Sequence, residues 1–198
     1  MAPDATPAKR EFIRYGHEEL SDFSCLDELF TESYAPSTCR VIQMGCGKGQ
    51  VAVYLAQRGL RVVGIDPNRE FLAAARERSR MLDVDLDLMA GNPLELPPIP
   101  EESIGLNVDF NTAVTLSDGF ERENFLRIVY RFLTRGGIVL AAGPAAGEKR
   151  PDDQDPTFAF GSPFVADFTR AGFNVLMQGI RTVPSGESRL VVHAQKPL

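Results

Sequence analysis

Three glycines and one carboxylate carry the chemistry in this sequence. Gly45, Gly47 and Gly49 stand in the run Met44-Gly45-Cys46-Gly47-Lys48-Gly49, and Asp66 lies 17 residues beyond the last of them. Glycine adopts positive φ freely and lets backbone come close to a ligand. A helix starting directly behind such a turn offers unpaired N–H groups and a partial positive charge, which suit a carboxylate or a phosphate. A carboxylate on a neighbouring strand tip can accept two hydrogen bonds from a ribose diol, each contributing about 1.5–3 kcal/mol when charge-assisted. Asp66 equally suits the N-cap of a helix beginning at Pro67, and the two roles are compatible.

Spacing narrows the ligand. The dinucleotide fingerprint GxGxxG would place its third glycine at position 50, which is Gln50. Here the third glycine falls at 49, giving GxGxG, which argues against a nicotinamide-dependent oxidoreductase. No Gly-Lys-Ser/Thr occurs, so the phosphate loop of the nucleotide triphosphatases is absent. The plain alternative is a tight strand-to-helix turn that binds nothing.

The elements that must position these groups can be read from periodicity and breakers. Residues 1–10 read as a disordered tail. In 11–37 the residues Leu20, Phe23, Leu26, Leu29 and Phe30 recur at helical spacing, which predicts an N-terminal helical lid segment. Residues 38–198 then form one domain. Strands are expected at 40–44, 60–65, 84–89, 104–110, 138–142, 173–180 and 188–194. Helices are expected at 50–58, ended by Gly59, at 67–81, at 121–134 and at 162–171, closed by Gly172. Phe125, Ile128, Val129 and Phe132 share one face of the third of these, which Gly136-Gly137 should stop. A proline-rich loop covers 93–102, and a loop rich in Pro, Gly and charge covers 143–161. Alternating strands and helices imply a parallel sheet covered on both faces. The last two strands are too close for a helical crossover and should pair as an antiparallel hairpin.

Bulk properties agree with a single domain: 198 residues at 43% hydrophobic content can bury one sizeable core. A net charge of -6 argues against a nucleic-acid or anionic-membrane binder. The basic run at 76–80 includes Glu77 and reads as a solvated helix face. Cys25, Cys39 and Cys46 are odd in number and form no metal spacing, so no metal is expected, and a reduced, cytoplasmic chain is. The N-terminus lacks the apolar core of a secretory signal, and no segment reaches the roughly 18 apolar residues of a membrane span. The sequence leaves the oligomeric state open.

Residues 41–50 (Val-Ile-Gln-Met-Gly-Cys-Gly-Lys-Gly-Gln) followed by 62–68 (Val-Val-Gly-Ile-Asp-Pro-Asn) resemble motif I and post-I of the class I S-adenosylmethionine-dependent methyltransferases. Residues 89–97 resemble the segment bordering the adenine, and 125–137 the helix and Gly-Gly turn before strand five. The resemblance runs over about 38–196. It implies a Rossmann-like, doubly wound α/β fold with a seven-stranded sheet of order 3-2-1-4-5-7-6, its last strand antiparallel. It implies S-adenosylmethionine as cofactor. Gly45, Cys46, Gly47 and Gly49 would hold the methionine portion, with Gln43 two residues before the first glycine. Asp66 would take both ribose hydroxyls, Pro67 would sit against the adenine, and Asn92 with Pro93 would border its exocyclic amine. Backbone near Val108 and Asp109 would face the methionine amine and the methyl group.

Three positions depart from that family's pattern. Gln43 and Asn92 stand where acidic residues are usual, and Gly105 replaces the aspartate of strand four. The two amides still accept hydrogen bonds but carry no charge for a cationic cofactor. Methyl transfer from a sulfonium mainly needs alignment, worth about 7–11 kcal/mol, so no dedicated base is required and no catalytic residue is assigned. The acceptor side falls to 12–30, 109–118 and 143–161. Their candidates are Tyr15, His17, Asp109, Asn111, Phe158 and Phe160; His193 reads as structural. The expected activity is direct methyl transfer to a small-molecule acceptor. The alternative is a non-catalytic accessory protein with this fold.

Overall fold

Runs of Val, Ile and Leu bounded by charged or turn residues become the strands of one sheet in the computed structural model, which describes Leu26 and residues 39–92, 94–96, 99–110, 112–116, 119–144, 162–182 and 188–198. In chain order the elements are β1 (Arg40–Met44), α1 (Gln50–Gln57), β2 (Arg61–Asp66), α2 (Arg69–Met81), β3 (Asp87–Ala90) and β4 (Ile104–Phe110). A short turn of helix α3 (Thr112–Thr115) follows, then α4 (Gly119–Phe132), β5 (Leu133–Pro144), α5 (Ser162–Arg170), β6 (Asn174–Thr182) and β7 (Ser188–Gln195).

The sheet order is β3-β2-β1-β4-β5-β7-β6, as the resemblance implies. Strands β3, β2, β1, β4 and β5 pair in parallel, while β7 runs antiparallel to both β5 and β6. Two cores form, one on each face. On one, Phe125, Leu126, Val129 and Phe132 of α4 and Phe164 and Phe168 of α5 pack against Ile42, Met44 and Val139. On the other, Val51, Val53 and Leu55 of α1 pack against Val41, Val108 and Leu140. Leu26, the single described residue of the expected lid segment, is fully buried in this second core. The rest of that segment lies outside the described residues.

Strand β4 is buried along its whole length despite Asn107 and Asp109. Gly105 has a packing reason there: a Cβ would collide with Cys39 Cβ on the neighbouring chain segment.

Several boundaries differ from expectation. Helix α2 starts at Arg69, and its N-cap is Asn68, whose Oδ1 accepts from Glu70 N–H at 2.9 Å and Phe71 N–H at 3.2 Å. Asp66 is therefore not the cap and keeps its carboxylate for other partners. Strand β3 begins only where Asp87 meets Val63, because Val84 and Leu86 turn back onto the core beside α1. The Gly136-Gly137 pair does not stop a helix. Helix α4 passes straight into β5, Leu133 pairs with Ile104, and Gly136 (φ 72) sits in the register shift before Ile138 meets Leu106.

Candidate functional site

The carboxyl ends of four parallel strands lie side by side. Met44 is in register with Ile65 and with Asp109, and Asp66 is in register with Ala90. In open α/β sheets this edge, where the strand order reverses between β1 and β4, is where ligands bind.

All three glycines of the turn have left-handed backbone, with φ of 62, 53 and 78 at Gly45, Gly47 and Gly49. They differ in what surrounds them. A Cβ on Gly45 would collide with Thr112 Oγ1, and one on Gly49 would come within 2.7 Å of Ala75 Cβ in α2. A Cβ on Gly47 would meet nothing within 4 Å. Packing demands the outer two glycines, whereas the middle one faces open space, where backbone can approach a ligand. The Lys48 carbonyl accepts from the Arg78 guanidinium, which ties the turn to α2.

Asp66 is 7% exposed at the end of β2. Its Oδ2 accepts from Gly47 N–H and its Oδ1 from Asn68 N–H, both at 2.8 Å. A carboxylate offers about four lone-pair sites, so each oxygen retains one for a further donor. Pro67 is exposed beside it. Asn92 lies just past β3, where Gly91 N–H donates to the Asp66 carbonyl at 3.2 Å. Its own Oδ1 accepts from Leu94 N–H at 3.0 Å and closes a local turn. Pro93 lies outside the described residues.

Cys46 is buried with its sulfur beside Gly64, where a Cβ would come within 2.9 Å. Burial, and then the nearby Asp66 charge, pushes its thiol up to about 12, so it stays protonated and is no nucleophile. What Cys46 offers the turn is backbone: its N–H donates to the Ile65 carbonyl at 3.0 Å. Gln43 is 3% exposed in β1 on the α1 side of the sheet. Among the described residues its Oε1 has no hydrogen-bond partner. Val108 is fully buried between Gln43 and Leu140, two residues short of the strand tip.

Asp109 does more than lend backbone. It is 2% exposed, and its two oxygens accept from Thr112 N–H at 2.7 Å and Ala113 N–H at 2.9 Å. Burial pushes its carboxyl up from 3.8 to about 6, and these backbone hydrogen bonds pull the other way. Thr112 Oγ1 in turn donates to the Met44 carbonyl at 3.0 Å. Sequence reasoning missed Thr112. The available signal was an aspartate three residues ahead of it, the spacing of a helix N-cap.

The carboxyl edge thus gathers the glycine turn, Asp66, Pro67, Asn92 and Asp109, with Gln43 beneath the turn and Val108 deeper in the sheet. His193 is elsewhere, buried in β7 opposite Leu140 and Met177. Tyr15, His17, Asn111, Phe158 and Phe160 lie outside the described residues. Among the described residues no group of three His, Cys, Asp or Glu could hold a metal ion, and no helix is long and apolar enough to cross a membrane. The open space at Gly47, the spare lone pairs on Asp66 and the unpaired Gln43 oxygen fit an adenosine ribose joined to an amino-acid moiety.

Comparison with known proteins agrees. A sequence model described as a methyltransferase domain matches residues 42–141. A Mycolicibacterium smegmatis protein named a probable S-adenosylmethionine-dependent methyltransferase is 32% identical over 104 residues, 52% of this chain and 37% of its own length. An S-adenosyl-L-methionine-dependent Diels-Alderase of Talaromyces variabilis is 28% identical over 102 residues, 52% of this chain and 35% of its own. The chain therefore spans little more than a third of those relatives. The crystal structure of an S-adenosylmethionine-dependent methyltransferase from Methanosarcina mazei superposes with a TM-score of 0.73 at 19% identity, covering 85% of this chain and 97% of that one.

Proposed function

This chain belongs to the class I S-adenosylmethionine-dependent methyltransferase family, whose cofactor is S-adenosylmethionine, and we propose that it transfers a methyl group directly to a small-molecule acceptor in the cytoplasm. The observation that carries this reading is the Asp66 carboxylate, which is tied to Gly47 N–H and still has lone pairs for a diol.

When bound, the cofactor supplies a methyl group on a positively charged sulfur, already electrophilic. Asp66 would accept the ribose hydroxyls, and the N–H groups of the turn and the start of α1 would face the carboxylate of the methionine portion. Gln43 Oε1 would accept a hydrogen bond from the amino group. None of these groups needs to ionise during transfer. The protein's task is to hold and align, and the strands fix the backbone that does so.

The small-molecule acceptor is supported by the charge of -6, which disfavours nucleic acid. The cytoplasmic location is supported by the free thiols of Cys39 and Cys46. A second reading is cofactor binding without methyl transfer. The uncharged Gln43 and Asn92 favour it, and the Talaromyces relative is named for another reaction.

Isothermal titration with S-adenosylhomocysteine and S-adenosylmethionine tests the site. Saturable one-to-one binding is expected, and no heat with either ligand would sink the proposal. Formation of S-adenosylhomocysteine across a panel of hydroxyl, amine and thiol acceptors then separates transfer from binding alone.

A further inference from the structure

The join between β4 and the glycine turn is tighter than either part needs by itself. Thr112 lies 68 residues beyond Met44 in sequence, yet its Oγ1 donates to the Met44 carbonyl at 3.0 Å. The same oxygen occupies the space a Cβ on Gly45 would take. Thr112 is 8% exposed, and its own N–H is held by Asp109 Oδ1 at 2.7 Å. Asp109 also takes Ala113 N–H at 2.9 Å, and its carboxyl is in hydrogen-bond reach of the Thr112 side chain, so two backbone bonds and the carboxyl together fix where the hydroxyl stands. A continuous line of contacts runs from the tip of β4, through Asp109 and Thr112, to the first peptide of the turn.

We propose that Thr112 is a positioning residue for the cofactor loop, its hydroxyl holding the Met44–Gly45 junction in the binding conformation before the cofactor arrives. The proposal rests on reading residues 45–49 as the S-adenosylmethionine loop. A side chain that only filled space would need no donor aimed at a carbonyl; valine would fill it equally. A turn with a free entry must be ordered on binding, and that cost is subtracted from affinity. The hydroxyl removes the cost in advance. It also gives Gly45 a reason distinct from ligand contact, since any larger residue displaces the very group that holds the turn.

Two substitutions separate donor from bulk: Thr112→Val keeps the shape and loses the hydrogen bond, and Thr112→Ser keeps the bond. Amide hydrogen exchange is measured on the ligand-free chain, and S-adenosylhomocysteine binding by calorimetry. In T112V the amides of residues 45–49 should exchange about tenfold faster and the ligand should bind about tenfold more weakly, the equivalent of one lost hydrogen bond to a buried carbonyl. Amides of the β6–β7 hairpin should keep their wild-type rates, and T112S should restore both readouts. Unchanged exchange at 45–49 in T112V, or equal acceleration throughout the chain, overturns the proposal. Should T112V fail to fold, Thr112→Ala is compared with Thr112→Ser, which differ only in the hydroxyl. Faster exchange at 45–49 in T112A than in T112S supports the proposal, and equal exchange overturns it. Wild-type protein that shows this exchange pattern but binds no S-adenosylhomocysteine overturns the cofactor assignment and leaves the hold of Thr112 on the turn standing.

Discussion

The Asp66 carboxylate and the Gly47 N–H, 19 residues apart in sequence, are joined by a 2.8 Å hydrogen bond that links the tip of β2 to the turn after β1. One side chain thereby shapes the loop from within and remains open to a ligand from without. Asn68 N–H, on the other oxygen, fixes the carboxylate's rotation.

Replacing Asp66 with Asn should therefore damage two properties at once. An amide presents one acceptor oxygen and a donor, so either Gly47 N–H or Asn68 N–H faces an NH2 group. The lost charge-assisted bond costs about 1–3 kcal/mol of stability, read by thermal or denaturant unfolding. Binding of S-adenosylhomocysteine should weaken by about tenfold to a hundredfold, because the ribose bonds to an anion go as well. A variant that unfolds at lower temperature but binds as tightly as wild type would remove Asp66 from the cofactor site.

The outer and middle glycines should respond in opposite ways. Gly49→Ala puts a Cβ 2.7 Å from Ala75 Cβ on a backbone with φ 78. Clash and left-handed strain together should cost about 2–4 kcal/mol of stability. Gly47→Ala carries the strain without the clash, about 1–2 kcal/mol, but places a methyl in the open space before the turn. Ligand affinity should fall further in G47A than in G49A, while stability falls further in G49A. Paired unfolding and calorimetric titrations of the two variants check this ordering.

The same contrast marks what could be read from sequence. The strands and the place of the glycine turn were legible, since buried β-branched runs and glycine spacing are local signals, whereas the sheet order was implied by the family resemblance. The alternative reading of Asp66 as a helix cap failed because Asn68, two residues on, competes for that place and takes two N–H groups. Gly136 looked like a helix stop, yet Leu133 finds a partner in Ile104 first, so pairing across the sheet overrides the local break. Asp109 three residues ahead signals the place of the Thr112 N–H, but nothing local signals the partner of its hydroxyl. Its partner is a carbonyl 68 residues away, and only the closed sheet brings them together. Asn92 was assigned from resemblance alone; its oxygen already serves Leu94 N–H, so a bond from adenine's exocyclic amine must use the remaining lone pair.

Gln43 offers a test of the lost charge. It is 3% exposed, with an oxygen that lacks a partner among the described residues. Gln43→Glu places a carboxylate there, and without ligand its burial should lower the unfolding temperature. A cationic ligand nearby should offset that penalty. S-adenosylmethionine should then bind about tenfold more tightly than to wild type at pH 8, roughly 1.4 kcal/mol of added attraction. The gain should be smaller for S-adenosylhomocysteine, which lacks the sulfonium. Equal or weaker binding of both ligands would show that position 43 does not feel the cofactor's charge.

Asp109 makes a prediction about pH. Burial raises its carboxyl from 3.8 to about 6, so the folded chain holds this proton more tightly than the unfolded chain does. A carboxyl with a raised folded value contributes stability that is complete below about pH 4 and is lost as pH rises through about 6. Above that the fold carries a buried anion, which its bonds to Thr112 and Ala113 only partly offset. Asp109→Asn cannot ionise and should show none of this dependence, apart from a constant loss for its missing acceptor. The unfolding free energy of wild type minus that of D109N should therefore fall by on the order of 3 kcal/mol between pH 3 and pH 7.5, most steeply near pH 5, midway between the unfolded and folded values. Denaturant titrations of both proteins across that range measure the difference directly. A flat difference would mean that the carboxyl titrates in the folded chain as it does in water, and that the hold on Thr112 involves no buried charge.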